Sequence, residues 1–297
     1  MNRRLHIDRV TAAVIATSLL LLCLTLLVFF LPSLHFVYKS PELSTAIESL
    51  CILIALGAFY LCYARFRVTS ELRLLFLALA FLILGLYNLV HAVLVPVAGS
   101  RFSVTPDLLT YFWLTARLAS ALLLIASLAA GSRQVSVRRG SLGIGAVIAT
   151  VVLLAALFFS LDAAGLPHLL SPGGWELVRE GQSPEILGEV TTLGGIYQTV
   201  IGACFLAAGA GYLHLYRKER RPFWGWLSIS FVAAFLTQVN FLMYPSIYTS
   251  YVYTGDFLRL FSRVVLFIGT YAEITYSYRH LQVRNQQLKA MQEISIL

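Results

Sequence analysis

Residues 76–94 read FLALAFLILGLYNLVHAVL, and this stretch decides the class of fold. It contains no Asp, Glu, Lys or Arg, and together with its flanks it forms an apolar run over residues 72–95. A run of about 20 apolar residues is long enough to cross a bilayer as a helix. A helix is expected because lipid leaves no partner for an unpaired backbone group. Two polar side chains, Asn88 and His91, lie near one end of the run.

The same pattern recurs along the whole chain, which is 59% hydrophobic and only 12% charged. Soluble domains of ordinary composition carry about twice that share of charged residues. We predict an all-α polytopic membrane protein: a bundle of eight transmembrane helices followed by a C-terminal cytoplasmic signalling helix. The predicted spans are residues 10–31, 44–63, 72–95, 108–130, 143–161, 193–216, 223–244 and 257–276.

The positive charges orient this bundle. Most of the 22 Lys and Arg residues fall in the segments that share one side of the membrane with the N-terminus. The positive-inside rule therefore predicts that both termini are cytoplasmic. The net charge of +8 then reflects topology. No nucleic-acid partner is expected, because the cations are spread over separate loops.

Polar side chains inside the spans are costly in lipid and therefore informative about function. When they are placed by depth, six spans contribute polar groups to the predicted outer half of the bundle. Helical spacing puts them on one stripe of each helix. We predict a polar cavity there, covered by a long outer loop of about residues 162–191. The predicted ligand-binding residues are Glu48, Asn88, His91, Trp113, Arg117, Gln198, Gln238, Asn240, Arg259 and Arg263.

The charged residues in this predicted outer half of the bundle, which we call the polar band, favour a small polar or anionic ligand. Glu48 and Asp256 are opposed by three arginines, and a guanidinium is suited to bind a carboxylate or phosphate through two hydrogen bonds. Structural alternatives remain open at this point. Glu48 with Arg117 or Arg259 is alternatively an ion pair, Trp113 is alternatively core packing, and the four amides are alternatively hydrogen-bonding contacts between helices.

No catalytic, metal or cofactor site is predicted. The chain lacks a P-loop, an HExxH motif and a GxSxG motif. His91 has no second histidine at its depth, so we predict neither a metal nor a haem there. An intramembrane enzyme with His91 as base and Ser120 or Ser262 as nucleophile has no supporting spacing.

Two further ionisable residues carry simple expectations. Glu273 lies near the inner end of the last span, where we expect its carboxylate to reach water; sensing of helix movement is the alternative. His168 in the long outer loop has no partner at ligand spacing, so no role is assigned to it.

Four stretches carry a resemblance to a known family: TAIESLCILIALGAFYL, FLALAFLILGLYNLVHAVL, FWLTARLASALLLI and GDFLRLFSRVVLFI. In this order they resemble the third class of bacterial membrane-associated sensor domains, the MASE-type modules, over residues 44–276. The resemblance implies an eight-helix input domain that precedes histidine kinases, diguanylate cyclases and related outputs. The residues of the family pattern correspond here to Glu48, His91, Trp113, Arg117 and Arg259. The chain departs from the pattern at Asn88, Gln238 and Asp256, where the family has an acid, an acid and a histidine.

The resemblance and the polar band together predict a sensor of a bacterial signal-transduction protein, such as a two-component system, in the cytoplasmic (inner) membrane. Residues 1–277 form the predicted sensor domain, and residues 278–297 form a linker helix to a kinase or cyclase output that this chain lacks. We therefore expect the chain to sense but not to signal alone, and we predict no enzyme activity. A small-molecule transporter or channel is the alternative.

The polar tail also predicts a homodimer. Leu281, Leu288 and Met291 follow the spacing of a coiled-coil seam, although Arg284 and Ser295 interrupt it. A solvated helix without a partner is the alternative for this segment.

Overall fold

The computed structural model describes residues 9–35, 41–94, 106–169, 190–243 and 250–296. These residues form eight α-helices and one short 3-10 helix, Pro32–Leu34. The α-helices are α1 (Arg9–Phe30), α2 (Pro41–Thr69), α3 (Leu72–Leu94), α4 (Pro106–Ala130), α5 (Val137–Ala164), α6 (Thr192–Glu219), α7 (Pro222–Leu242) and α8 (Ser250–Ile296). The prediction of an all-α fold is confirmed.

Seven helices, α1 to α7, are long and apolar enough to cross a membrane. The eighth predicted span lies in α8, which is not among these apolar helices. The physical reason is that Asp256, Arg259 and Arg263 all fall within its first four turns. Seven of the eight predicted spans are thus present as apolar helices, and the membrane crossing of α8 stays a prediction.

Local sequence explains several helix ends. The Thr191 side chain accepts a hydrogen bond from the backbone N–H of Gly194 and so caps α6, as Ser136 does for α5. At the other end of α6, Arg220 adopts a left-handed conformation with φ 58° and ends the helix. Pro222 then starts α7, where its missing N–H costs no hydrogen bond.

The helices form one bundle in which α3 and α7 are the most enclosed. Neighbours in sequence pack together from α2 to α4 and from α6 to α8, and the contacts of α2 with α8 and of α4 with α6 join the two groups. Helix α1 lies against α7, and α5 lies at the periphery on α3 and α4. Most of the apolar surface of α1 and α5 is exposed, which suits contact with lipid.

Helix α8 is one unbroken helix of 47 residues. At 1.5 Å per residue it is about 70 Å long, more than twice the thickness of a hydrocarbon core. It runs without a break across the predicted boundary between residues 277 and 278. The side chains of Leu281, Leu288 and Met291 lie outside the described part of the structure, so the coiled coil stays a prediction.

The segment between α5 and α6 is shorter than predicted. Residues 162–164 belong to α5, and residues 170–189 lie outside the described residues, so the predicted cover over the cavity stays a prediction. The two described ends of the segment meet. The backbone N–H of Thr191 donates to the carbonyl of Leu169 at 3.1 Å, and its hydroxyl donates to the carbonyl of His168 at 2.9 Å.

His168, to which the sequence assigned no role, has a hydrogen-bond partner in the fold. Its Nδ1 lies 2.7 Å from Oδ2 of Asp107, whose Oδ1 accepts the backbone N–H of Leu169 at 2.8 Å. The carboxylate of Asp107 at the start of α4 therefore holds residues 168 and 169 against the bundle. The partner was not visible in the sequence because the two residues are 61 positions apart.

Candidate ligand site

One arginine joins α8 to α2 through two carboxylates. Nη1 of Arg259 lies 2.6 Å from Oε2 of Glu48, and Nη2 lies 3.0 Å from Oδ1 of Asp256, one helical turn earlier in α8. All three side chains are buried. Among the alternatives left open by the sequence, the partner of Glu48 is therefore Arg259. The triad carries two negative charges against one positive charge.

His91 of α3 approaches the same carboxylate from another side. Its Nδ1 lies 3.9 Å from Oε1 of Glu48, which is too long for a hydrogen bond. Both atoms are buried, and neither has a hydrogen-bond partner in the described chain. The space between them therefore offers an acceptor and an imidazole nitrogen to a third group.

Arg117 of α4 is held by aromatic rings. Its guanidinium carbon lies 3.6 Å from the centroid of the Trp113 ring and 5.1 Å from the centroid of the Phe241 ring of α7. The two rings meet edge to face at 4.9 Å. Trp113 is thus a cation–π platform for the arginine rather than only a packing residue. No carboxylate of the described residues lies within 4.0 Å of Arg117, which is only 3% exposed.

Electrostatic interactions link these groups into one site. Arg117 interacts with Glu48, Asp256, Arg259 and Arg263. We call the set the arginine cluster; its members are Glu48, His91, Trp113, Arg117, Phe241, Asp256, Arg259 and Arg263. Three arginines face two carboxylates, so the cluster carries one surplus positive charge with His91 neutral. Arg263 is also buried, and its Nε has no acceptor among the described residues.

The predicted amides occupy separate positions. Each buries a side-chain oxygen that has no hydrogen-bond donor in the described chain: Asn88, Gln198, Gln238 and Asn240. The Nδ2 of Asn240 donates to the carbonyl of Leu236 in its own helix at 2.9 Å. Gln238 packs on Gly202 of α6, with its Cβ 3.4 Å from the position that a Cβ at Gly202 would take. No measured contact within the described ranges joins the four amides to the arginine cluster, and their ligand role stays a prediction.

Phe241 is the member of the cluster that sequence reasoning missed. It lies in an apolar helix that contains many aromatic residues, so nothing in its local sequence distinguishes it. Its role depends on a contact between α7 and α4, and only the packing of these two helices reveals it.

A second set of ion pairs lies at the opposite end of the bundle. Nη2 of Arg65 lies 2.7 Å from Oε1 of Glu273, and Nη1 of Arg73 lies 3.0 Å from Oε1 of Glu219. The other oxygen of Glu219 accepts the indole N–H of Trp224 at 2.8 Å. Glu273 is only 8% exposed, so the expectation that it reaches water was wrong. The carboxylate of Glu273 is paired with the guanidinium of Arg65 on α2 instead of with water.

Neither a metal site nor an open cleft beside α6 coincides with the cluster among the described residues. Among the described residues, no group of three or more His, Cys, Asp and Glu side chains is arranged to hold a metal ion. A cleft of about 480 Å³ lies beside the first turns of α6, lined mainly by apolar side chains, threonines and Leu242. None of the predicted ligand-binding residues lines it.

The comparisons with known proteins identify a family over part of the chain. The family model of the MASE3 membrane-associated sensor domain matches residues 37–174. These residues hold α2 to α5, and with them Glu48, Asn88, His91, Trp113 and Arg117. The family resemblance found in the sequence is confirmed over this range. No curated protein and no solved structure matches the chain.

Proposed function

We propose, from the match of residues 37–174 to the MASE3 membrane-associated sensor domain, that this multi-pass membrane protein is the input module of a bacterial signal-transduction protein. The domain of the match is a sensor, and the chain contains no evident catalytic domain. The finer proposal is that a small polar or anionic ligand binds the arginine cluster, and that α8 passes the change to a cytoplasmic kinase or cyclase output.

The observation that carries this proposal is the state of Arg117. A buried guanidinium without a counterion is costly, particularly inside a membrane. Its face is stacked on Trp113, which leaves the N–H groups at its edge available for hydrogen bonds. An anion placed at this edge balances the surplus charge of the cluster and accepts hydrogen bonds from the guanidinium. Glu48 Oε1 and His91 Nδ1 are available for a second polar group of the same ligand.

We also propose that α8 is the eighth span. Its charged residues are buried against other helices and do not face lipid: Asp256, Arg259, Arg263 and Glu273 are each 8% exposed or less. The charged residues that α8 contributes to the site then explain why this helix is less apolar than the other seven. In the proposed topology both termini are cytoplasmic in the inner membrane, and the tail of α8 continues toward the output and pairs with a second copy.

Anion binding to the purified full chain in lipid nanodiscs tests the ligand proposal. The probes are sodium salts of formate, acetate, lactate, succinate and inorganic phosphate, and the readout is the midpoint of thermal unfolding. We expect at least one anion to raise the midpoint of the wild type and to have little effect on Arg117→Ala. Arg138→Ala, at an exposed arginine far from the cluster, should respond as the wild type does.

The contradicting result is equally specific. If every anion that stabilises the wild type stabilises Arg117→Ala and Arg259→Ala to the same extent, the cluster is not the binding site. If none of the salts changes the midpoint, while a neutral polar compound does so in an Arg117-dependent way, the ligand is polar but not anionic.

A further inference from the structure

Helices α2 and α8 are joined by two ion pairs, and the arginine cluster contains only one of them. Glu48 pairs with Arg259, and Arg65 pairs with Glu273. The second pair lies 17 residues further along α2 and 14 residues further along α8. At 1.5 Å per residue these separations are about 26 Å and about 21 Å. The two helices therefore run parallel and are bonded near opposite ends of their contact.

The two pairs have opposite polarity. Helix α2 contributes the acid to the first pair and the base to the second, whereas α8 contributes the base first and then the acid. A shift of α8 by one helical turn, about 5.4 Å, separates both pairs at once. A shift toward Arg263, one turn after Arg259, would still leave Glu48 a guanidinium partner. The same shift leaves Arg65 facing no carboxylate. The Arg65–Glu273 pair is therefore the one that defines the register.

The stretch of α8 between the pairs is tightly packed. At Gly57 of α2, an added Cβ would lie 3.0 Å from the ring of Phe267. At Gly269, an added Cβ would lie 2.5 Å from Cβ of Trp226 in α7, which is closer than side chains pack. The ring of Phe223, also in α7, lies 5.7 Å from the guanidinium of Arg65. Helix α8 is therefore packed closely against α2 and α7 on the approach to Glu273.

The two ends differ in charge balance, while both pairs are enclosed to a similar degree. The first pair belongs to the arginine cluster, whose surplus positive charge favours an anion that competes with Glu48 for guanidinium groups. The second pair balances one positive charge with one negative charge and so has no surplus charge to attract a ligand. A change at the cluster therefore alters the first pair and leaves the second intact.

We propose that the Arg65–Glu273 pair is the pivot of α8: it holds the helix on α2 while changes at the arginine cluster move the other end. This inference rests on the proposed function, because it assigns the route by which the site acts on the tail. From Glu273 to Ile296 the helix continues for 23 residues, about 35 Å, compared with about 21 Å from Arg259 to the pivot. If the helix is rigid and turns about this pivot, a displacement of Arg259 moves the end of the tail in the opposite direction. The displacement of the tail is about 1.7 times larger, because the tail is longer by that factor.

Loss of the first pair by mutation tests this inference without a ligand. Spin labels are placed on Arg138→Cys in α5 and Gln287→Cys in the tail, both exposed positions, with Cys23 and Cys204 replaced by Ser. The readout is the distance between the labels in nanodiscs. We expect Glu48→Gln to shift the mean distance by about 1–2 Å, the size of helix shifts in known switches.

The pivot is then removed. In a Glu273→Gln background we expect a broad distance distribution in which Glu48→Gln produces no defined shift. The exchanged pair Arg65→Glu with Glu273→Arg restores the shift, and it also serves if the single variant does not fold. Glu219→Gln is the matched control, because it breaks an ion pair at the same end of the bundle that does not involve α8, and it should leave the shift unchanged.

Two outcomes contradict the inference and are distinguishable. If Glu48→Gln shifts the distance equally with and without the Arg65–Glu273 pair, the pivot is wrong and the proposed route through α8 stands. If Glu48→Gln causes no shift in any background, both the pivot and the transmission through α8 are wrong.

Discussion

At the scale of single residues, two arginines at similar depth are stabilised in different ways. Arg259 lies between two carboxylates, whereas Arg117 is stacked on two aromatic rings and has no described carboxylate within reach. The first arginine therefore organises the cluster, and the second is the one available for a ligand. Depth and helical spacing predicted both residues from the sequence. The pairing was not predictable, because it depends on which helices are neighbours.

The triad predicts an order of stabilities. Arg259→Gln removes the direct ion-pair partner of buried Glu48 and Asp256, and we expect a loss of about 3–5 kcal/mol in the free energy of unfolding. Glu48→Gln should cost less, because Asp256 still pairs with Arg259. Equilibrium unfolding in detergent micelles measures both values. A larger loss for Glu48→Gln than for Arg259→Gln contradicts the assignment of Arg259 as the central group.

The aromatic platform predicts a measurable coupling. In a double-mutant cycle with Arg117→Met, Trp113→Leu should show a coupling energy of about 1–2 kcal/mol, since the guanidinium lies directly over its ring. Phe241→Leu in the same cycle should show a smaller coupling, because its ring centroid is 5.1 Å away. Equal coupling energies for the two rings would show that Trp113 has no special role.

At the scale of elements, the site depends on the packing of α8 against α2, and the segment that follows α5 is held by Asp107 of α4. Helix α8 combines site residues, one half of each α2–α8 ion pair and the tail in one unbroken helix. Residues 270–297 contain no Pro or Gly, which favours this continuity. The end contacts of the α5–α6 segment were not predictable, because Asp107 and His168 are brought together only by the fold.

Gly194 tests the closure of this segment. A Cβ there would lie 2.6 Å from the carbonyl oxygen of Leu169, and backbone atoms cannot move away as a flexible side chain can. We expect Gly194→Ala to lower the free energy of unfolding by about 1–3 kcal/mol through overpacking.

Gly145→Ala in α5 provides the matched control. No atom lies within 4 Å of the added Cβ, so this variant should be neutral or up to about 1 kcal/mol more stable through its helix propensity. Thermal unfolding of both variants in micelles checks the contrast. Equal losses for the two would mean that the contact at Leu169 does not constrain the fold.

At the scale of the whole molecule, composition predicted an all-helical membrane protein, and the structure confirms that class with seven apolar helices. The eighth span is the instructive exception. Hydropathy identifies a span by its average, and a helix that carries a charged site lowers that average even when its charges are buried in the bundle. The family match ends at residue 174, so it does not cover α6 to α8, whose contribution to the site was predicted from the depth of their polar residues.

Reporter fusions test the topology that includes α8. If α8 crosses the membrane, a fluorescent protein fused after residue 297 should be fluorescent in bacterial cells, and a phosphatase that is active only outside the cytoplasm should be inactive there. The same phosphatase inserted after Gly165 should be active. An active phosphatase at both positions would mean that α8 does not cross.

The most direct test of the central claim joins this chain to an output. Residues 1–297 are fused to the cytoplasmic portion of a histidine kinase. Phosphorylation of the fusion in nanodiscs is measured as a function of the concentration of each anion that stabilises the wild type. We expect the level of phosphorylation to change with anion concentration in the wild type and in the Glu219→Gln control, and to stay constant in Arg117→Ala. An unchanged response in Arg117→Ala, or no response in the wild type to an anion that binds it, would contradict the account.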